Sequence, residues 1–363
     1  MSVPSDRMQG MVDSALEAVP GMEIDVPQPE SFEGGAEILE DGQGGAIVQA
    51  LSEMMGTEVV AEEYNHNANL AEVLDDAILG EISSDLRGKY EEDQDSRAEW
   101  EDGYTKGLDL LGIKYEERNQ PFSGASGVTH PLIAESVTQF QAQSYKELLP
   151  AGGPVRTNII GMKSPEVEAQ ANRVKDFMNY MVTEVMEEYD PDTDQMLFYL
   201  PLSGSTFKKV YYDETKQRPV SRFVPAEDLV VPYTATDLAT ASRITHVLRM
   251  DENQVRKLQV AGSYRDVDLE AGYEEEDGPV TDKVRELDGR ERTGDSDELL
   301  TILEVHTELD IEGFEDMDPM GEPTGIKLPY IVTLEAGSGE VLAIRRNYAE
   351  GDPLKRKQQY FVH

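Results

Sequence analysis

Asp190, Asp192 and Asp194 alternate along the chain as the first ligands of a calcium-binding loop would. That chemistry needs a glycine at the sixth loop position and a bidentate glutamate at the twelfth. Gln195 and Pro201 stand there instead. The acids fit better at the start of a helix opened by Pro191, where each carboxylate stabilises the N-terminus by about 0.3–1 kcal/mol. Glu227 and Asp228 adjoin, and paired carboxylates are the material of general acid–base catalysis. With 73 acids in the chain, such pairs arise without any chemistry behind them, and a polar turn before Leu229 accounts for this one. Gly124-Ala-Ser-Gly127 has the wrong spacing for a nucleophile elbow and reads as a turn. The phosphate-cradling G-x-x-x-x-G-K-[ST], the dinucleotide fingerprint G-x-G-x-x-G and the zinc-protease H-E-x-x-H are all missing. The chain has no cysteine, and its five histidines (His66, His130, His246, His306 and His363) lack short metal-ligand spacing. The sequence therefore nominates no catalytic, cofactor-binding or metal-ligating residue, and the chain is not expected to be an enzyme.

Basic residues are scarce and grouped, at Lys208-Lys209, Arg345-Arg346 and Lys355-Arg-Lys357. Such groups suit phosphate contact or pairing with acids, those of a neighbouring subunit included. In a chain of net charge −41, ion pairing is the expected use.

Helices carry most of the first half. Residues 1–80 read as an acidic, largely disordered arm: Arg7 is the only basic residue before Arg87, and glycine and proline recur. Short helical pieces are expected within it at 47–55 and 70–79. From 82 to 111 a charged helix is expected, with Leu86, Tyr90, Trp100, Tyr104, Leu108 and Leu111 on its packing stripe. After a turn-rich loop over 119–127, Pro131 opens a second helix that stops at Pro150. An extended stretch over 155–160 leads to the clearest helix. Ser164 caps it, Pro165 is its first residue, and Val167, Ala171, Val174, Met178, Met181 and Val185 form a core or helix-packing face.

From residue 205 the period changes to two. Strands are expected at 207–212, 220–224, 229–231, 244–250 and 302–309, with a hairpin of 331–334 and 341–344 around Ala-Gly-Ser-Gly. Asp251 and Gln254 cap a helix ending at Gly262. Residues 270–298 read as a long exposed loop, and Gln359–His363 as a strand. The fold class is α+β: an arm (1–80), a helical part (81–204) and a strand-rich part (205–363).

The 363 residues are enough for two or three modules. The apolar fraction, 39%, is below the ~45–50% of ordinary globular chains, consistent with a heavily solvated portion. No apolar run approaches the ~20 residues of a membrane span, and the N-terminus lacks the charged and apolar regions of a signal peptide. An excess of 73 acids over 32 bases repels nucleic-acid phosphate and anionic lipid. It describes either a solvated surface or one that DNA must pass without sticking.

Several segments, in order, resemble the portal proteins of short-tailed, podovirus-type bacteriophages. They are His130-Pro-Leu-Ile-Ala-Glu-Ser-Val-Thr-Gln-Phe-Gln-Ala-Gln143, Leu149-Pro-Ala-Gly-Gly-Pro-Val155 and Asp194-Gln-Met-Leu-Phe-Tyr-Leu-Pro-Leu-Ser-Gly-Ser-Thr-Phe-Lys-Lys-Val-Tyr-Tyr-Asp213. Val224-Pro-Ala-Glu-Asp-Leu-Val-Val-Pro232 and Val255-Arg-Lys-Leu-Gln-Val-Ala-Gly-Ser-Tyr-Arg-Asp-Val-Asp268 follow, then Gly325-Ile-Lys-Leu-Pro-Tyr-Ile-Val-Thr-Leu334 and the stretch from Asp352 to His363. Together they span most of residues 85–363, while the acidic arm resembles nothing named.

The resemblance implies a portal-type fold and a twelve-subunit ring at one capsid vertex. Double-stranded DNA would pass through it during packaging and ejection without sequence-specific binding. It implies docking of the terminase motor and then of tail or adaptor proteins, contact with capsid and scaffold proteins, and a location in the virion after assembly in the host cytoplasm. It implies no catalytic residue, cofactor or metal. The family's chains are longer, so channel-lining helices and a crown are expected after His363 and the chain is expected to be truncated. Another phage head–tail adaptor or structural protein is the alternative, and ring stoichiometry separates the two.

Overall fold

Residues Leu299–Leu309 alternate in the faces they present, and they form the central strand of a five-stranded sheet. The computed structural model describes residues 38–40, 46–48, 65–111, 122–127, 130–213, 216–269, 278–287, 299–318 and 320–363. One unit, 1–64, contributes an antiparallel hairpin of β1 (Ile38–Glu40) and β2 (Ala46–Val48). The body is the second unit, 65–363. Of the helical pieces expected in the arm, 47–48 fall in a strand instead, and 49–55 lie outside the described residues.

The body is α+β. The seven helices of the described residues lie mostly in its first half, and two antiparallel sheets follow. The helices are α1 (Asp76–Ser96), α2 (Ala98–Leu111), α3 (Leu132–Leu148), α4 (Pro165–Tyr180), α5 (Tyr189–Ser203), α6 (Glu252–Val260) and α7 (Pro279–Leu287). A three-stranded sheet has the order β10 (Phe361–Val362), β3 (Phe207–Asp213), β4 (Arg218–Val224). A five-stranded sheet runs β5 (Leu229–Val230), β6 (Arg243–Asp251), β7 (Leu299–Leu309), β8 (Leu328–Glu335), β9 (Val341–Arg346).

Strand alternation decides what the large sheet packs against. Leu303 and Val305 of β7 face the main core, with Leu86 and Tyr90 of α1 and with Tyr330 and Val332 of β8. Leu300 and Ile302 face the opposite way, toward Val255 of α6. Both faces are therefore covered, which explains near-continuous burial along β8. Helix α1 presents Leu79, Ser83, Leu86, Tyr90 and Asp93 inward, a single stripe as its sequence predicts.

The body starts earlier than the expected boundary at 80. Leu70 and Ala71 are buried in the main core, and Asn69 completes the edge of the large sheet. Its Oδ1 accepts from the N–H of Ile344 at 2.9 Å and of Ala71 at 3.1 Å, and its Nδ2 donates to Leu342 O at 3.1 Å. An amide side chain thus satisfies strand groups that would otherwise be an open edge.

The structure corrects three further expectations. The helix over 82–111 is two helices broken at Arg97, whose guanidinium is drawn to the carbonyls of Ala226, Glu227 and Leu229 at 2.8–3.4 Å. Part of the expected 270–298 loop is α7, because Val280 is buried against Tyr104 and Leu108 of α2. Residues 270–277 and 288–298 lie outside the described residues. Ser164 does cap α4, with Pro165 following, but of the two readings of its apolar stripe, core face or helix-packing face, the core one fails. None of the residues of α4 is buried.

Candidate functional site

One group of ionisable side chains links the two sheets. The period of β7 turns Glu304 and His306 to the same face as Ile302, and the register of β6 sets His246 beside Glu304. Lys209 reaches across from β3, its Nζ donating to Glu304 Oε1 at 2.6 Å and Oε2 at 2.7 Å. His306 Nε2 lies 2.7 Å from Glu304 Oε1 and donates to it, since that carboxylate is ionised. Phe361 of β10 closes the group: its ring lies edge-on to His306 at 5.1 Å and to His246 at 5.5 Å, and under Lys209 Nζ at 5.5 Å.

Burial opposes the charge on Glu304, but Lys209 and His306 overcome it and hold the carboxyl well below its usual range. Burial, reinforced by Lys209, pushes His246 down to about 4. Burial also lowers His306, against the pull of Glu304. Both rings are thus neutral at pH 7. The pair is a charge-assisted strut joining the sheets, surrounded by neutral rings.

A second group lies where the helices meet the large sheet. Arg97 bonds Glu101 Oε1 through Nε at 2.8 Å, in addition to its three carbonyls. Beneath it is a cavity of about 30 Å³ lined by residues that include Tyr90, Gln94, Glu227, Arg249 and Thr281. Glu227 Oε2 and the hydroxyl of Tyr104 are buried without a hydrogen-bond partner. Burial, with Asp228 adding to it, pushes the Glu227 carboxyl up to about 7 against the attraction of Arg97 and Arg249. The polar turn expected before Leu229 is present as a 3-10 turn, Ala226–Asp228. Its carboxyl, however, is an inward group that nothing in the local sequence marks.

The larger concavity is an open groove of about 940 Å³ between α1 and the β8–β9 hairpin. Its wall is drawn together by Arg265, which bonds Asp76 at 2.9 Å and Glu340 at 2.8 Å, and by Ser83, whose hydroxyl donates to Gly339 O at 2.5 Å. Gly339 has φ +77, and an added Cβ would stand 3.0 Å from Arg87 Nη1, so glycine suits this turn sterically.

The three acids weighed as calcium ligands diverge. Asp190 accepts from Tyr145 at 2.5 Å, Asp192 from the N–H of Phe223 at 2.9 Å and Asp194 from Gln141 at 2.8 Å. Among the described residues, no three histidines or acids gather as metal ligands. The grouped bases bond within the body. Lys209 pairs with Glu304, Lys355 with Asp316 and Arg356 with Asp352. Lys208 donates to Thr193 at 2.6 Å and sits over the Tyr189 ring. Arg345 and Arg346 bond carbonyls of 65–67 and 263, and Lys357 bonds Ala241 O. His363 contacts Ser205 at 2.7 Å, and His66 contacts Tyr348 O at 2.8 Å. No described helix is long and apolar enough to cross a membrane.

Neither a family model nor a curated protein matches this chain.

Proposed function

We propose that the chain is a structural subunit of a bacteriophage portal vertex, acting by assembly and not by catalysis. In this reading it contributes to a ring that conducts double-stranded DNA without reading its sequence, and it serves as a docking site for the packaging motor and later for tail or adaptor proteins. It resides in the virion at the capsid vertex, having been made in the host cytoplasm.

The observation that carries this reading is the collinear series of portal-like segments, from His130-Pro131 through Leu149-Pro-Ala-Gly-Gly-Pro154 to the closing stretch ending at His363. These segments belong to elements that pack on one another. Helix α3 packs on α5, β10 pairs with β3, and the turn before β5 grips Arg97. Charge supports it too. A net −41 disfavours phosphate, and the grouped bases engage acids and carbonyls of the same body. Each unneutralised phosphate keeps its counterions, so DNA gains nothing by stopping.

The test is to assemble phage particles with an epitope-tagged copy and label them with a gold-conjugated antibody. Labelling at a single vertex per particle is expected. Label distributed over the shell, or particles without the protein, would overturn the reading.

A further inference from the structure

We propose that α7 is a proton-sensitive flap: it lies closed over Glu227 while that carboxyl carries a proton and loosens when the proton leaves. The inference concerns a single chain and stands apart from the portal reading.

The helix is lightly held. Among the described helices and strands it packs extensively on α2 alone. Of its nine residues only Val280 is buried, and Val284 packs partly buried beside it in the cluster of Tyr104 and Leu108. Arg249 Nη2 donates to Thr281 Oγ1 at 3.3 Å, and Lys283 Nζ lies 2.7 Å from Asp109 Oδ1. Asp109 is 45% exposed, so water screens that ion pair.

What the flap covers is a carboxyl out of balance. Glu227 lines the cavity of about 30 Å³, and Gly278, Val280 and Thr281 form the wall of it that belongs to α7 and its lead-in. The charged and titratable groups facing Glu227 there are Tyr90 of α1, Arg97 at the helix break, Glu101 of α2 and Arg249 of β6. Asp228 adjoins on its own turn, and the Tyr104 hydroxyl is close enough to feel its charge. None of the ionisable residues of α7 lines the cavity. Both guanidinium groups already hold a carboxylate: Arg97 bonds Glu101 at 2.8 Å, and Arg249 bonds Asp228 at 2.7 Å. Three acids therefore share two bases, and an ionised Glu227 is the one in excess. Among the described residues its Oε2, like the Tyr104 hydroxyl, has no hydrogen-bond partner. Burying a charge in that position costs far more than burying the neutral acid. Lifting α7 admits the water that solvates it.

The closed form thus binds the proton more tightly than the open one. Burial raises the carboxyl from 4.5 to about 7. Closure is then fullest below about 4.5, weakens as pH rises toward 7 and levels off above it.

The test is amide hydrogen exchange of the whole chain at pH 5 and pH 8, with rates corrected for the intrinsic pH dependence of exchange and repeated in low urea. Protection of amides 282–287 should fall at least about tenfold between the two pH values in the wild type, and should stay level in Glu227→Gln, which keeps the shape without the charge. Low urea should leave these amides unaffected while it speeds those of β7, because a local opening exposes little surface. Equal losses of protection in the two proteins would overturn the inference, as would level protection in the wild type. So would amides 282–287 that follow β7 in urea, since α7 would then leave only with the whole body, or that are already unprotected at pH 5.

Discussion

Lys209 on β3 and Glu304 on β7 are 95 residues apart in sequence, yet Nζ lies within 2.6–2.7 Å of both carboxylate oxygens and links the two sheets. The link is asymmetric in its energetics. Removing one partner leaves a buried charge uncompensated, at a cost of about 3–5 kcal/mol, whereas replacing both is often nearly neutral. Lys209→Met is therefore expected to lower stability by about that amount in urea unfolding. Lys209→Met with Glu304→Gln, which keeps an acceptor for His306, should recover most of it. A double variant as unstable as the single would show that the strut does not act as a pair.

Glu227 gives the body a pH dependence of definite sign. Its carboxyl titrates near 7 when folded, above its ordinary 4.5. The folded state therefore binds more protons between those values, and stability falls as pH rises from about 4.5 to 7. The shift corresponds to about 3 kcal/mol at most. Glu227→Gln should remove this slope and stabilise the protein at pH 8. His246 acts with the opposite sign, since its pKa is depressed to about 4. Its contribution is present above about 6.5 and is lost as pH falls toward 4. It is common to both proteins, so it cancels in the difference. Parallel melting-temperature profiles for wild type and Glu227→Gln would contradict the assignment.

Much of the element order was legible in the residues. Ser164-Pro165 announces α4, and Ala-Gly-Ser-Gly announces the β8–β9 hairpin, because caps and turns are local chemistry. The inter-sheet strut was not legible. Glu304 occupies an alternating position that looks solvent-facing until a second sheet is laid over it. Helix α7 is not legible because only Val280 and Val284 anchor it among two acids and two bases, and the cluster they join comes from α2 and α5. The stripe of α4 fits a core face or a helix-packing face equally in the sequence, and only the core reading fails: periodicity shows that a face wants cover, not what covers it.

Asn69 tests where the body begins. Its amide satisfies Ile344 N–H, Ala71 N–H and Leu342 O together. Asn69→Ala leaves these groups short of partners at about 1–3 kcal/mol for each one that water cannot reach. A loss of roughly 2–4 kcal/mol is expected, with faster amide hydrogen exchange at Ile344. Unchanged protection there would mean that residues 65–72 do not seal the sheet edge.

The central claim is assembly around a channel, and the most direct test is the native mass of the whole gene product, with negative-stain images of the same sample. Rings with a central hole and a mass close to twelve chains are predicted. A well-behaved monomer or dimer would contradict the account.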